Sequence, residues 1–117
     1  QSGVIMSIVP FITLHDCVVT VVAEHENKQA RQHFPDDLEL AEGLMQDLAT
    51  NSFAWCQIRI EVTCKKWKAV RYLPCSSYGS RQEFLDSLEY DEEVNSAFKE
   101  LIEKLRIDRD FLNSLTF

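Results

Sequence analysis

The sequence predicts a single α+β domain: one small antiparallel sheet of about three strands, in the order strand–helix–hairpin–helices, with helices packed on one face. Three observations predict it. From Cys56 on, the segment Ala54 to Thr63 alternates apolar and polar residues with a strict period of two, the mark of a half-buried strand. Val18-Val19-Thr20-Val21-Val22 is a dense β-branched run, which suits a pleated backbone. Two later stretches open with acids and continue with apolar residues at helical spacing.

Length and charge set the outer bounds. A chain of 117 residues is one domain by size and buries roughly two-thirds of its unfolded surface. It needs neither metal nor disulfide to build a core. Only three Gly and three Pro argue against low complexity. Gln1-Ser2-Gly3 reads as the remnant of a cleaved tag, so residues 1–5 are expected to be tag or unstructured start, and 6–117 the domain. The apolar stretch from Val4 to Leu14 is broken by Ser7, Pro10 and Thr13 and is too short to span a bilayer.

The elements follow in order. Ile8 to Leu14 reads as a short extended piece or a turn of helix. The strand from Asp16 to Glu24 is apolar on both faces, so it is expected to be central or covered on both sides. Glu26 to Pro35 is a polar loop with room for a short helix at Asn27 to Gln32. Asp36 is the expected cap of the first clear helix, with Glu39 as its capping-box partner and Asp37 near the positive dipole end. Leu40, Ala41, Leu44, Met45 and Leu48 form its apolar stripe, and Thr50-Asn51-Ser52 ends it.

In the next strand Cys56, Ile58, Ile60, Val62 and Cys64 face the core, and Gln57, Arg59, Glu61 and Thr63 form a wet face. Lys65 and Lys66 make a turn. Trp67 to Leu73 returns as the second arm of a hairpin, ended by Pro74. The turn lacks Asn-Gly chemistry, which leaves the register open. Cys75 to Gly79 is a loop. Ser80 and Glu83 form a second capping box before Phe84, Leu85 and Leu88. Asp91-Glu92-Glu93 opens a longer helix with Val94, Ala97, Phe98, Leu101, Ile102 and Leu105 on its apolar stripe. Asp108 is expected to cap a last short helix carrying Phe111, Leu112 and Leu115.

Chemistry is sparse. Cys17, Cys56, Cys64 and Cys75 contain no C-x-x-C pair, which removes the usual zinc and redox motifs. They read as reduced thiols of a cytoplasmic protein, and no metal or cofactor is expected. His15 and Cys17 share one side of a strand and, with Cys56 or Cys64, could supply zinc donors, but core packing explains the same residues. Cys75 lies in a loop before a helix, where a thiol pKa can fall, so a thiol enzyme is one alternative.

Charge speaks to partners. The net charge of −7 disfavours nucleic acid, and no membrane partner is expected. Five acids lie between Asp36 and Asp47, and six between Glu83 and Glu93, with no base within either run. Helix capping accounts for much of this, and a negative surface that docks on a protein is the sharper alternative. Arg59, Lys65, Lys66, Lys68 and Arg71 cluster with Trp67 and Tyr72, a pattern that can hold single strands but equally guards a sheet edge.

The run Ala54-Trp55-Cys56-Gln57-Ile58-Arg59-Ile60-Glu61-Val62, then Leu73-Pro74-Cys75-Ser76-Ser77-Tyr78, then Glu83-Phe84 before an acidic helix start, resembles small proteins encoded by phages and other mobile elements. In these a Trp-bearing strand precedes a Cys-Ser-Tyr-like loop and an acidic helix. The likeness covers roughly residues 17 to 105. Pro74 stands where Gly is commoner, and a hairpin glycine is missing. The resemblance implies a mobile-gene setting and carries no catalytic residues.

The resulting expectation is a non-enzymatic binding protein that docks a protein partner through its acidic helices or its wet strand face. The candidate binding residues are Trp55, Arg59, Glu61, Trp67, Tyr72, Tyr78, Glu92 and Glu93. The alternative is a small-ligand domain in which Trp55, Trp67, Tyr72 and Tyr78 line an apolar pocket. A homodimer through a Trp-bearing edge strand is a further expectation.

Overall fold

The computed structural model describes residues 12–114, with side chains to residue 109. The tag expectation at 1–5 and the start of the Ile8–Leu14 segment lie outside these residues, as does Leu115. A 3-10 turn at Leu14–Asp16 leads into β1 (Val18–Glu24). Two helices follow, α1 (Ala30–His33) and α2 (Leu38–Asp47). Then come β2 (Cys56–Cys64) and β3 (Trp67–Ser76). The chain closes with α3 (Arg81–Leu85) and the long α4 (Leu88–Ser114).

The three strands form one antiparallel sheet in the order β1-β2-β3. The fold is therefore α+β, with helix packed against the sheet as the residue pattern predicts. β2 is central, paired with both neighbours, and its alternation separates a core face from a wetter one. Cys56, Ile58, Ile60, Val62 and Cys64 are buried, and the residues between them are half-buried.

α4 lies across β2 and β3. Val94, Ala97 and Leu101 enter one cluster with Ile58, Ile60, Val62 and Ala69. Ala69 and Ala97 have no side chain beyond Cβ, which lets helix and sheet approach closely. Each fully buried Ile or Leu here contributes about 1.5–3 kcal/mol. Phe84 closes one end of the cluster, stacked on Phe53 at 6.3 Å and meeting Tyr78 and Tyr90 edge-on at 4.9 and 5.5 Å. Arg71 reaches from β3 to Glu93 (3.1 Å) and Glu100 (2.9 Å), two helical turns apart on α4.

A second, smaller cluster joins α1 and α2. Ala30, Ala41 and Trp55 are its buried members, with Phe34, Leu44, Leu48 and Cys75 packed around them.

Four expectations need correction. β1 is an edge strand, not a central or doubly covered one. Val18 and Val22 are 66% and 38% exposed, while Val19, Val21 and Ala23 face the core. β-branched residues favour the strand backbone whichever way they point, so the run set conformation and not burial. The cap of α2 is Asp37, not Asp36. The chain turns at Pro35 and Asp36, and the Asp37 carboxylate accepts the Leu40 N–H at 3.0 Å.

Pro74 does not end β3. The register shifts between Cys56 and Ile58 of β2, and Pro74 sits in the matching bulge on β3, where its missing N–H costs no ladder bond. Cys75 turns the chain there with a positive φ of 52°, and pairing resumes at Ser76. Finally, α4 runs without a break through Asp108 to Ser114. No Gly or Pro occurs between Asp91 and Ser114, and Asp alone does not stop a helix that the core has already nucleated.

Candidate functional site: the open face of the sheet

The face of the sheet opposite α4 is covered by none of the described helices. The strand registers order it in rows. Val22, Arg59 and Tyr72 form one, Thr20, Glu61 and Val70 the next, and Val18, Thr63 and Lys68 the third. Tyr72 is 53% exposed. The face thus offers three exposed apolar or aromatic side chains, Val18, Val22 and Tyr72, around a charged centre.

That centre is an ionic ladder. Arg59 Nη1 stands 3.6 Å from Glu24 and its Nη2 pairs closely with Glu61. Lys68 Nζ lies 3.7 Å from the other Glu61 oxygen. Gln57 donates to Glu24 at 3.4 Å. The ladder holds two acids and two bases, so the face is locally neutral on a chain of net charge −7. Glu61 is enclosed by its two cations. Arg59 Nε–H is buried with no acceptor among the described residues.

The structure brings Arg59, Glu61 and Tyr72 together on this face and places the other expected site residues elsewhere. Trp55 is buried in the small cluster, where its indole N–H donates to the Lys28 carbonyl at 2.8 Å. Trp67 starts β3 at the far end of the hairpin, on the core side, with Lys66 Nζ 5.4 Å above its ring. Tyr78 packs on Phe84 and donates its phenol hydrogen to the Glu89 carboxylate. Burial, then the Glu89 carboxylate, push the Tyr78 pKa up to about 12. Trp55, Trp67, Tyr72 and Tyr78 therefore share no cavity. Glu93 is engaged by Arg71, and Glu92 is exposed. The basic hairpin is likewise divided: Arg59, Lys68 and Tyr72 face outward, Arg71 and Trp67 face α4.

The cysteines are free thiols. Burial first, then the Glu26 carboxylate, raise the pKa of Cys75. This is opposite to the fall expected of a thiol beside a helix start: Cys75 belongs to the strand bulge, and the α3 cap is Ser80. Burial likewise raises Cys56 to about 11. Among the described residues, no three His, Cys, Asp or Glu side chains converge in a way that could hold a metal ion. No described helix is long and apolar enough to cross a membrane.

Sequence reasoning missed Val18, Val22, Val70 and Glu24 as parts of the open face. The β1 sequence carries no alternation that marks its faces, so they are legible only once β1 is known to be an edge strand in register with β2. Glu26 was missed too. Its carboxylate accepts the Cys75 N–H (2.7 Å) and the Lys28 N–H (2.9 Å), joining the loop before α1 to the bulge in β3.

No protein-family model matches the chain, and no curated protein or solved structure is similar to it at a significant level.

Proposed function

We propose that this chain is a small binding protein without enzymatic activity of its own, which docks a protein partner through the open face of its sheet. One observation carries the reading: a three-stranded face whose ion pairs are already matched internally, flanked by the exposed side chains of Val18, Val22 and Tyr72. Apolar and aromatic outer groups supply docking energy, and an ionic centre already paired internally leaves no uncompensated charge beneath a partner. The acidic-helix route is less favoured, because Glu93 is already paired with Arg71. The resemblance to phage and mobile-element proteins supports a mobile-gene origin, with the partner in the cytoplasm of the host.

The test is cross-linking of the captured partner, followed by affinity measurement with face variants. Val22→Lys and Tyr72→Ala are expected to weaken binding at least about tenfold, with cross-links on β1 and β3. Glu92→Lys is expected to leave binding within about twofold. Binding that survives both face variants and is lost in Glu92→Lys would move the interface to the acidic helix.

A second reading is favoured by a cleft of about 470 Å³ between α1 and α2, floored by Ala30, Ala41 and Met45 and rimmed by Gln29, Arg31 and Glu42. Its size suits a small molecule. A ligand that raises Tm in a thermal-shift screen, with the rise lost in Ala41→Phe, would favour it.

A further inference from the structure

Cys17 and Cys64 meet across the first two strands. Val18 pairs with Thr63, and one further step of the register sets Cys17 opposite Cys64. The backbone at Cys17 is still extended, with φ −112° and ψ 156°. Both side chains lie on the core side, Cys64 as a buried member of the main cluster and Cys17 packed half-buried against it.

The phase of the ladder matters as much as the register. The Val21 carbonyl points away from β2, where Arg81 donates to it at 2.7 Å. The Cys17 N–H also points away, to the Leu14 carbonyl at 3.1 Å. Residues 17 and 21 are an even number apart, so both belong to the pairs that exchange no backbone hydrogen bonds. In such pairs the Cα atoms approach to about 4.5 Å and the side chains are closest, within the span a disulfide bridges. The two thiols are near enough for Cys64 to raise the Cys17 pKa, after burial, through charge and a hydrogen bond.

We propose that Cys17 and Cys64 are a site for a reversible cross-strand disulfide, formed by exchange with a low-molecular-weight disulfide of the glutathione class. The half-exposed Cys17 loses its proton to solvent, and its thiolate attacks one sulfur of the glutathione disulfide. One glutathione thiolate leaves, and Cys17 carries a mixed disulfide. Cys64 then loses its proton and attacks Cys17 Sγ, expelling the second glutathione thiolate. Two protein thiols are oxidised and one disulfide is reduced to two thiols. The bond ties edge strand β1 to the central strand where the 3-10 turn enters the sheet. The site is independent of the docking reading above.

The full chain is equilibrated with reduced and oxidised glutathione at a range of ratios, quenched with an alkylating agent, and mapped by mass spectrometry without reduction. The expected result is a linked pair of peptides carrying Cys17 and Cys64, a mass lower by two hydrogens, and alkylated Cys56 and Cys75. Tm is expected to rise by about 5 °C or more on oxidation and to return on reduction. Cys17→Ser, at a half-exposed position, is expected to stay folded and to lose both the link and the rise. A stable glutathione adduct on Cys17 without the link, unmodified thiols at oxidising ratios, or the same rise in Cys17→Ser would each overturn the proposal. So would a Cys17 disulfide to a second chain.

Discussion

Glu26 does at one residue what an extra turn of helix would otherwise do. Its two carboxylate oxygens separately accept the Lys28 and Cys75 N–H groups, and so fix the α1 loop to a bulge whose Cys75 stands in a left-handed backbone conformation. These hydrogen bonds hold the Glu26 carboxyl below its ordinary value of 4.5, the Lys28 N–H foremost. A carboxyl depressed in the folded state contributes stability that is present above its unfolded pKa and is lost as pH falls from there through the folded value. Glu26→Gln keeps one acceptor oxygen and loses the charge. It is expected to cost about 1 kcal/mol at neutral pH, read as a lower urea midpoint. Wild type and variant are expected to converge as pH falls below 4.5.

At the level of elements, the hairpin shows a mismatch between residue and backbone. Cys64 pairs with Trp67, leaving Lys65 and Lys66 as a two-residue turn, and Lys65 has φ 57°. A side chain with a Cβ is disfavoured there by about 1 kcal/mol, and the missing Asn-Gly chemistry noted in the sequence is this same cost. Lys65→Gly is expected to raise stability by up to about 1 kcal/mol, measured as Tm, with the register of β2 and β3 unchanged. The same element explains what was legible. β2 could be read residue by residue because alternation reports burial on one side directly. The faces of β1 could not, since five β-branched or hydroxyl residues in a row fit both an edge and a centre. The continuous α4 was hidden for a related reason: Asp108 resembles a cap in sequence, and only the helix geometry shows its N–H neighbours already bonded. For the site, Arg59, Glu61 and Tyr72 were legible as wet-face residues. Trp55 was not, because a tryptophan at a strand start looks alike whether its ring faces a ligand or a core.

Over the whole molecule, the sheet has two free edges, and each is blocked by a cation. Arg81 of α3 donates to the Val21 carbonyl on β1, and Lys104 of α4 donates to the Lys68 carbonyl on β3 at 2.8 Å. Outward carbonyls already bonded to a side chain are poor templates for another strand. A twin chain pairing strand to strand would have to displace these side chains first. Replacing both Arg81 and Lys104 with Ala is expected to increase self-association, seen as a concentration-dependent rise in mass by light scattering. A double variant that stays as dispersed as wild type would show that the blocked carbonyls do not limit edge pairing.

The division of the interior into two clusters also has a consequence in time. The small one is tied internally by the Trp55 to Lys28 bond and joined to the β3 bulge by Glu26 to Cys75. Such a unit opens at a lower free energy than the whole chain unfolds. Native-state hydrogen exchange is expected to divide accordingly. Amides of α2 exchange through a local opening that leaves the sheet intact, while those of β2 wait for global unfolding. Trp55→Phe is expected to speed the first class and spare the second. One small lobe would thus breathe on its own against a closed sheet.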